Sequence, residues 1–345
     1  MYKHLIRPLL FLLPPEKAHD TTVLLLRLAM RIPGVPAVLH RLFDLRDPRL
    51  ERTVFGLRFL NPVGLAAGFD KDARLVDAMA TLGFGFVEIG TVTPRPQPGN
   101  PLPRLFRLPQ DKSLINRLGF NNHGASAAAA RLAQRKSGIL VGGNIGKNKT
   151  TPNEQAVDDY AQGFRTLYPV VDYFTVNVSS PNTPDLRALQ DKEPLTQLLR
   201  HLQQLNAQKP QPKPILLKIA PDLNDAQLDD IVDICLSLSI DGLIATNTTV
   251  ARTPLQTHPD QVAALGAGGL SGQALRQRST EVIRYLHQRS EGKIPIIGIG
   301  GIHSPQDALE KLAAGASLVQ LYTGYVYEGP GLVKRINRAV LERGV

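Results

Sequence analysis

Eight short apolar segments of β type recur along the chain after residue 46, and helical patterns separate most of them. The apolar segments cover residues 63–67, 86–92, 138–145, 172–178, 214–220, 241–247, 294–298 and 316–322. The helical patterns cover residues 71–82, 122–135, 153–167, 195–205, 225–237, 279–289, 305–314 and 331–342. Eight strand–helix units in series predict a closed (β/α)8 barrel, an α/β fold of the TIM-barrel type. A doubly wound sheet is the alternative, but it usually has fewer units and a Gly-rich turn after its first strand.

The first 46 residues form a separate part, in which Pro14, Pro15, Pro33 and Pro36 interrupt short apolar runs. The first run is too short to span a membrane, and no small-residue cleavage site follows it. Seven Lys or Arg residues stand there against three Asp or Glu residues. Short, apolar and basic helices predict a hairpin that dips into a membrane surface, and a helical cap on the barrel is the alternative. We therefore expect a helical extension over residues 1–46 and the barrel over residues 47–345.

The composition bears on which partners the chain can have. Cys235 is the only cysteine, so an intramolecular disulfide and a cysteine-cluster metal site are excluded. Histidines and carboxylates do not cluster at the strand ends, so no metal is expected. The net charge of +10 suits nucleic acid, an anionic membrane or an anionic substrate. Because the basic residues are scattered and not interleaved with aromatic ones, no nucleic-acid partner is expected.

Polar residues follow the predicted strands, at the end of the barrel that carries active sites. The densest group is residues 177–183, Asn-Val-Ser-Ser-Pro-Asn-Thr, directly after an apolar strand. Its amides suit the edges of a flat ligand, and one of its hydroxyls is a candidate for moving a proton. A polar turn that binds nothing has a similar composition. The other strand ends carry small, amide or cationic residues, among them Ala67, Gly68, Lys71, Thr91, Asn144, Lys218, Thr246, Asn247, Gly301, Tyr322 and Thr323.

Glycines at the seventh and eighth strand ends, in residues 298–301 and 323–324, leave backbone N–H groups bare beside a helix. Barrels commonly bind phosphate there, and residues 268–272 can complete the cradle. Lys218 ends an apolar strand, so we expect it in the barrel mouth with an anionic partner. A flavin, which takes negative charge on reduction, is one such partner. Lys71 is a candidate to bridge a cofactor and a substrate carboxylate.

Five segments, residues 66–71, 115–121, 177–183, 245–248 and 297–301, resemble those of dihydroorotate dehydrogenases. The chain is similar to the class 2, quinone-linked form over nearly its whole length. Class 1 enzymes have a cysteine as the base, whereas this sequence has Ser180 in that loop. The resemblance implies a flavoprotein with one FMN per chain. Its implied activity is oxidation of (S)-dihydroorotate to orotate in UMP synthesis, with electrons passed to a membrane quinone.

The resemblance also assigns residues to each ligand. FMN would be held by Ala67, Gly68, Lys71, Thr91, Asn144, Asn177, Lys218, Thr246, Gly272, Gly301, Tyr322 and Thr323. Dihydroorotate would be held by Lys71, Asn116, Phe120, Asn177, Asn182 and Asn247, with Ser180 as the catalytic base. The N-terminal helices would form a quinone tunnel, with Arg107 and Tyr322 near its inner end and His19 on its wall. The protein would be a monomer, bound peripherally to an anionic membrane surface on the cytoplasmic side of the cell membrane.

We hypothesise that Ser180 removes a proton from C5 of dihydroorotate while hydride leaves C6 for flavin N5. Serine hardly ionises in water, so it needs a dry site and a proton relay through water or Thr183. A tRNA dihydrouridine synthase would use the positive charge, but it relies on a cysteine acid that the strand ends lack. A non-catalytic barrel that binds a phosphorylated metabolite explains the glycines. It does not explain Ser180 among four amides.

Overall fold

The computed structural model of the protein describes residues 2–252 and 254–344. Its strands are β1 (Arg52–Val54), β2 (Leu57–Phe59), β3 (Val63–Leu65), β4 (Phe86–Val92), β5 (Leu105–Leu108), β6 (Ser113–Asn116), β7 (Leu140–Ile145), β8 (Tyr173–Asn177), β9 (Ile215–Ile219), β10 (Gly242–Ala245), β11 (Gly269–Gly272), β12 (Ile296–Ile299) and β13 (Leu318–Leu321). Its helices are α1 (Arg7–Phe11), α2 (Pro15–Ala29), α3 (Val35–Phe43), α4 (Val76–Thr81), α5 (Ala125–Leu132), α6 (Ala156–Leu167), α7 (Lys192–Ala207), α8 (Asp225–Ser237), α9 (Pro259–Leu265), α10 (Arg276–Arg289), α11 (Pro305–Ala313), α12 (Thr323–Glu328) and α13 (Gly331–Arg343). A π-helical segment, Tyr2–Ile6, precedes α1.

Eight parallel strands close into a barrel in the order β3-β4-β7-β8-β9-β10-β12-β13, and β13 pairs back to β3. This confirms the predicted (β/α)8 fold, and every predicted barrel strand is present. The strands β4, β8 and β9 are buried along their whole length. They read as continuous apolar runs because helices cover the outer face of the sheet and side chains fill its inner face.

Aromatic side chains fill the end of the barrel at which the strands have their N-termini. Phe59, Phe86 and Tyr173 are fully buried there. Phe59 belongs to the β1–β2 hairpin, which the sequence predicts over residues 53–60, and its ring meets that of Phe86 edge-on at 5.0 Å. Because side chains fill this end, the opposite end, where the strands reach their C-termini, is the one available to a ligand.

The N-terminal helices pack on the barrel and also present an apolar surface. Glu16 of α2 forms an ion pair with Arg104 at 2.7 Å, and the Tyr2 hydroxyl donates to the carbonyl of Val326 at 2.6 Å. The exposed large apolar residues of this part are Leu5, Ile6, Leu9, Leu12, Leu13, Leu24, Leu25, Leu28, Ile32, Val38 and Leu42. Within residues 2–252 and 254–344, every helix is too short or too polar to cross a membrane.

One predicted helix, residues 71–82, is much shorter in the structure. Only α4 is helical there, and the chain before it forms turns. The carboxylate of Asp70 accepts hydrogen bonds from the backbone N–H groups of Arg74 and Leu75, both at 2.7 Å. These bonds, together with a left-handed backbone at Ala73 (φ 56°), keep the chain in a loop beside the strand end.

The long segment 93–116 is an ordered insertion that folds over the barrel mouth. It supplies β5 and β6, which form a small antiparallel sheet with β11. Residues 268–272, predicted as a glycine loop, are therefore mostly strand, because β6 offers them a free edge for hydrogen bonding. Only the end of that strand, Ser271 and Gly272, reaches the pocket described next.

Candidate active site

A pocket opens at the C-terminal ends of the barrel strands, under β11 and residues 116–120. The structure brings together the following residues that the sequence singled out: Ala67, Gly68, Lys71, Thr91, Asn116, Phe120, Asn177, Ser180, Asn182, Lys218, Thr246, Asn247, Gly272, Gly301, Tyr322 and Thr323. Asn144 is fully buried and bonds to Thr91, one of the wall residues. His19 and Arg107 lie outside the lining.

A chain of hydrogen bonds joins the strand ends along one wall of the pocket. The Thr91 hydroxyl donates to Asn144 Oδ1 at 2.6 Å, and Asn177 Nδ2 donates to Thr91 Oγ1 at 2.8 Å. Asn177 Oδ1 in turn accepts from the Ser179 hydroxyl at 3.1 Å and from Asn247 Nδ2 at 3.3 Å. Because each amide is bonded inside the wall, its orientation is fixed before any ligand binds.

Ser180 lies in the loop after β8 and is only 6% exposed. Its Oγ accepts a hydrogen bond from the backbone N–H of Asn182 at 3.3 Å. The Asn182 side chain donates to Asn116 Oδ1 at 3.0 Å, so this loop meets the insertion over the pocket. The Thr183 hydroxyl is buried, and no residue of the described chain bonds to it. A hydroxyl in this state is available to a ligand or a water.

Arg187 holds the Ser180 loop against the neighbouring strand ends. Its guanidinium donates to the carbonyls of Ser179 at 3.1 Å and Thr248 at 3.0 Å. It also pairs with Asp222, which follows β9, at 2.8 Å. A planar guanidinium with several fixed donors can tie three segments together in this way.

A buried ion pair lies at the floor of the pocket. Lys218 of β9 is 4% exposed, and its Nζ is 3.7 Å from the carboxylate of Glu88 on β4, which is fully buried. Burial lowers the pKa of Lys218, and the charge of Glu88 opposes this shift. The anionic partner that the sequence requires for Lys218 is therefore present within the protein itself.

Glycines at the ends of β12 and β13 form a backbone cradle. A Cβ at Gly324 would overlap the carbonyl oxygen of Ile302, and one at Gly301 would overlap the backbone of Arg276. Gly301 also has a φ of 74°, which other residues adopt only with strain. Backbone N–H groups in such a close-packed turn, next to the start of α12, suit a phosphate.

Aromatic rings connect the pocket to the N-terminal helices. His19 of α2 meets Phe69 edge-on at 5.0 Å, and Phe69 meets Tyr322 of the pocket at 5.8 Å. Burial, and then the charge of Lys71, lower the pKa of His19 to about 4, so its ring is neutral at neutral pH. Burial raises the pKa of Tyr322 to about 12. This path is apolar and carries no charge of its own.

Arg107 interacts with the end of α1. Its guanidinium donates to the carbonyl of Leu13 at 2.8 Å and lies 4.3 Å from the centre of the Phe11 ring. These contacts stabilise the C-terminal end of a helix, where carbonyls lack partners. The place of Arg107 near the inner end of a quinone tunnel, which the resemblance implies, stays a prediction.

Sequence reasoning missed Gln320, which lines the pocket, and Glu88, which lies behind it and is bonded to Gln320. Glu88 is the one charged residue in the apolar segment 86–92, and that isolation is a signal that could have found it. Gln320 is likewise a lone amide in the apolar strand β13. A polar residue inside a barrel strand is costly unless it is bonded, so it marks either a site or a support for one.

The fold and the pocket are those of an enzyme of the TIM-barrel class, with a glycine cradle and a buried serine–amide cluster at the strand ends. The family model described as "Dihydroorotate dehydrogenase" matches residues 49–343. The chain belongs to the dihydroorotate dehydrogenase family.

Similar proteins cover the whole chain. "Dihydroorotate dehydrogenase (quinone)" of Christiangramia forsetii is 59% identical over 345 residues, which is 100% of each chain. The protein of the same name from Chloroflexus aurantiacus is 52% identical and covers 99% of this chain and 96% of its own length. A crystal structure of DHODH from Eimeria tenella in complex with ferulenol superposes with a TM-score of 0.86 at 37% identity. It covers 95% of this chain and 91% of the other.

Proposed function

We propose that this protein oxidises dihydroorotate to orotate and passes the electrons to a quinone, as a step in pyrimidine synthesis. One observation carries the proposal: buried Ser180 lies in a pocket with four asparagines, directly beside a glycine cradle and a buried lysine. Membership of the family and the names of the similar proteins support the same reaction.

The pocket has the donors and acceptors that FMN requires. Gln320 Oε1 is a buried acceptor without a partner in the described chain, which suits a ring N–H. The cradle at Gly301 suits the phosphate, and Lys218 suits the edge of the ring that gains negative charge. The residues proposed to hold FMN are Ala67, Gly68, Lys71, Thr91, Asn144, Asn177, Lys218, Thr246, Gly272, Gly301, Tyr322 and Thr323. When bound, FMN supplies the two-electron carrier between the substrate and the quinone.

Four asparagines, Asn116, Asn177, Asn182 and Asn247, are proposed to bind dihydroorotate with Lys71 and Phe120. Each amide can donate to one ring carbonyl or accept from one ring N–H. Lys71 lines the same pocket and is proposed to bind the substrate carboxylate. Burial lowers the pKa of Lys71, so an anion beside it is favoured because it restores the charged form.

Ser180 is proposed to accept the proton from C5 of dihydroorotate, while C6 loses hydride. The two changes together form the C5–C6 double bond of orotate and remove two electrons. Serine is a weak base, so its position in a nearly closed site is essential. The unpartnered hydroxyl of Thr183, in the same loop, is proposed to pass the proton on to solvent.

The quinone is proposed to enter through residues 1–46, along the rings of His19 and Tyr322. The exposed leucines of these helices and the excess of basic residues support peripheral binding to an anionic membrane surface. We propose that a monomer binds there from the cytoplasmic side of the cell membrane. Arg107 is proposed to support this part by fixing α1.

The test measures both products. Purified protein is given dihydroorotate and a soluble quinone, and orotate and quinol are quantified against time. Equal amounts of the two, formed over many turnovers, are expected. Oxygen is excluded, because it could reoxidise the reduced flavin in place of the quinone, and without quinone orotate formation should then stop after about one equivalent per bound FMN. Orotate formation that continues without quinone would contradict the proposed acceptor, and no orotate at all would contradict the proposed substrate.

A further inference from the structure

Glu88 is a fully buried carboxylate directly below the pocket, and nothing in the proposed reaction uses it. It sits in the middle of β4, where a barrel normally has an apolar side chain. Its carboxylate accepts hydrogen bonds from Asn144 Nδ2 at 2.8 Å and from Gln320 Nε2 at 2.9 Å. Lys218 Nζ lies 3.7 Å away. Three groups at the pocket floor or wall therefore depend on this one carboxylate for their orientation.

The remaining neighbours of Glu88 also donate to it. The hydroxyls of Thr175 and Tyr173 lie 3.2 Å and 3.5 Å from Oε2. Burial, and then the charge of Glu88, raise the pKa of Tyr173 well above its usual range, so this phenol keeps its proton. An ionised carboxylate is acceptor-only, and all of its polar neighbours are donors, so the surroundings match a charged Glu88.

Lys218 has few other charges near it. At its level in the sheet, the flanking strands place Asn177 on β8 and Ile244 on β10, and both are uncharged. Lys71 lines the same pocket but has the same sign of charge. Glu88 is therefore the group that favours the ammonium form of Lys218 against the effect of burial.

We propose that Glu88 is a positioning residue that keeps Lys218 protonated at the floor of the pocket and aims Gln320 and Asn144. This inference rests on the proposed function only in that the pocket binds FMN. Because Gln320 Nε2 donates to Glu88, its Oε1 is left as the free acceptor. Glu88 thus sets both the charge and the hydrogen-bonding pattern that face the ring of the cofactor.

The experiment compares Glu88→Gln with the wild type and needs neither dihydroorotate nor quinone. Each protein is loaded with FMN and photoreduced without oxygen in the presence of a reference dye. The ratio of reduced to oxidised FMN is then read between pH 6 and pH 9. In the variant, Lys218 loses its proton in the oxidised protein as the pH rises. Reduction of the variant then takes up one more proton than reduction of the wild type. The ratio of reduced to oxidised FMN should therefore fall, relative to wild type, by up to about tenfold per pH unit.

Two further variants distinguish an effect of the charge of Glu88 from an effect of the packing around it. Glu88→Asp keeps the carboxylate and should follow the wild-type pH profile more closely than Glu88→Gln does. Thr175→Val removes a neutral donor to the same carboxylate and should leave the profile unchanged. The proposal is overturned if Glu88→Gln parallels the wild type at every pH, or if Thr175→Val reproduces its effect.

A Glu88→Gln protein that loses FMN is tested through the thermal unfolding of the apoprotein. The ammonium of Lys218 is then buried without a counter-ion, so the unfolding temperature should fall. Adding Lys218→Met should recover part of that loss, and no recovery would overturn the proposal. If wild-type protein binds no FMN, or binds it but is not bleached by dihydroorotate, the proposed function fails. The unfolding comparison still decides the role of Glu88 in that case.

Discussion

The proposed dihydroorotate side and the proposed quinone side of this molecule differ in how their side chains are held. In the pocket, Asn177 and Thr91 are buried and bonded into one chain of hydrogen bonds that ends at Glu88. In the N-terminal helices, Leu24 and Leu25 are 57% and 56% exposed. A proton and a hydride must leave defined atoms, so their site benefits from fixed geometry. An apolar quinone with a long tail needs an apolar surface whose side chains can adjust to it. Hydrogen-bonded amides would not provide such a surface.

The largest expected effect comes from Ser180→Ala. Loss of the proton acceptor should slow bleaching of FMN by dihydroorotate by at least about 100-fold, a usual contribution of a general base. Reoxidation of chemically reduced protein by quinone should stay at the wild-type rate, because Ser180 lies in the pocket proposed for dihydroorotate and not on the path proposed for the quinone. Stopped-flow absorbance measures both rates. Ser180→Cys, which restores an acceptor, should lose less, and a Ser180→Ala protein with full turnover would refute the assignment.

The next effect concerns membrane binding. Leu24→Gln combined with Leu28→Gln removes two leucines exposed one helical turn apart on α2. If both enter the lipid, sedimentation with anionic vesicles should show about 100-fold weaker binding. Turnover with a soluble quinone should not change. The matched control is Leu236→Gln, which changes a leucine of the barrel helix α8 that is 42% exposed. This variant should bind to the vesicles like wild type. Equal losses in both variants would contradict the membrane surface.

A smaller effect is expected from Glu16→Gln, which weakens the ion pair between α2 and the insertion. The pair at Arg104 has three contacts of 2.7–3.1 Å and is largely shielded from solvent. Its loss should raise the KM for quinone about tenfold. Bleaching by dihydroorotate should slow much less, through the weaker support that the charge of Glu16 gives to the ammonium of Lys71. Glu51→Gln breaks the exposed pair with Arg58 at the barrel floor and should change neither. If Glu16→Gln slows bleaching as much as it impairs quinone turnover, the two sides are coupled and not separate.

The last expected effect is on stability and not on activity, and it depends on pH. The pKa of His19 is lowered in the folded protein to about 4, from 6.5, so folding favours the neutral ring. This contribution is fully present above pH 6.5 and is lost as the pH falls from 6.5 to 4. It should reach about 3 kcal/mol at most. Urea unfolding at several pH values should show that His19→Gln flattens this decline, and a decline as steep as that of the wild type would contradict this role of His19.

The sequence predicted the barrel well because its strands are buried on both faces and read as unbroken apolar runs. It also predicted that Ser180 and the asparagines lie together, because the C-terminal ends of barrel strands meet at one face of the barrel. It failed at residues 71–82, where the bonds of Asp70 to the backbone override the helical pattern. Residues 268–272 form a strand because a partner edge exists at β6, which is distant in the sequence.

The polar residues inside the barrel were harder to predict. Glu88 and Gln320 are single polar residues in apolar strands, and their meaning depends on which other strands face them across the barrel. The contacts of Arg107 with the end of α1 join residues that are 94 and 96 positions apart, so the sequence alone does not show them. Interactions between side chains that are far apart in sequence are therefore the part that required the structure.

One pocket is proposed to accept electrons from dihydroorotate and to pass them to a quinone that arrives from the N-terminal side. The most direct test records the visible spectrum of the purified, detergent-solubilised protein without oxygen. Dihydroorotate should bleach the flavin, and a soluble quinone should then restore the oxidised spectrum. A yellow protein that dihydroorotate does not bleach, or a colourless protein that binds no FMN, would contradict the account.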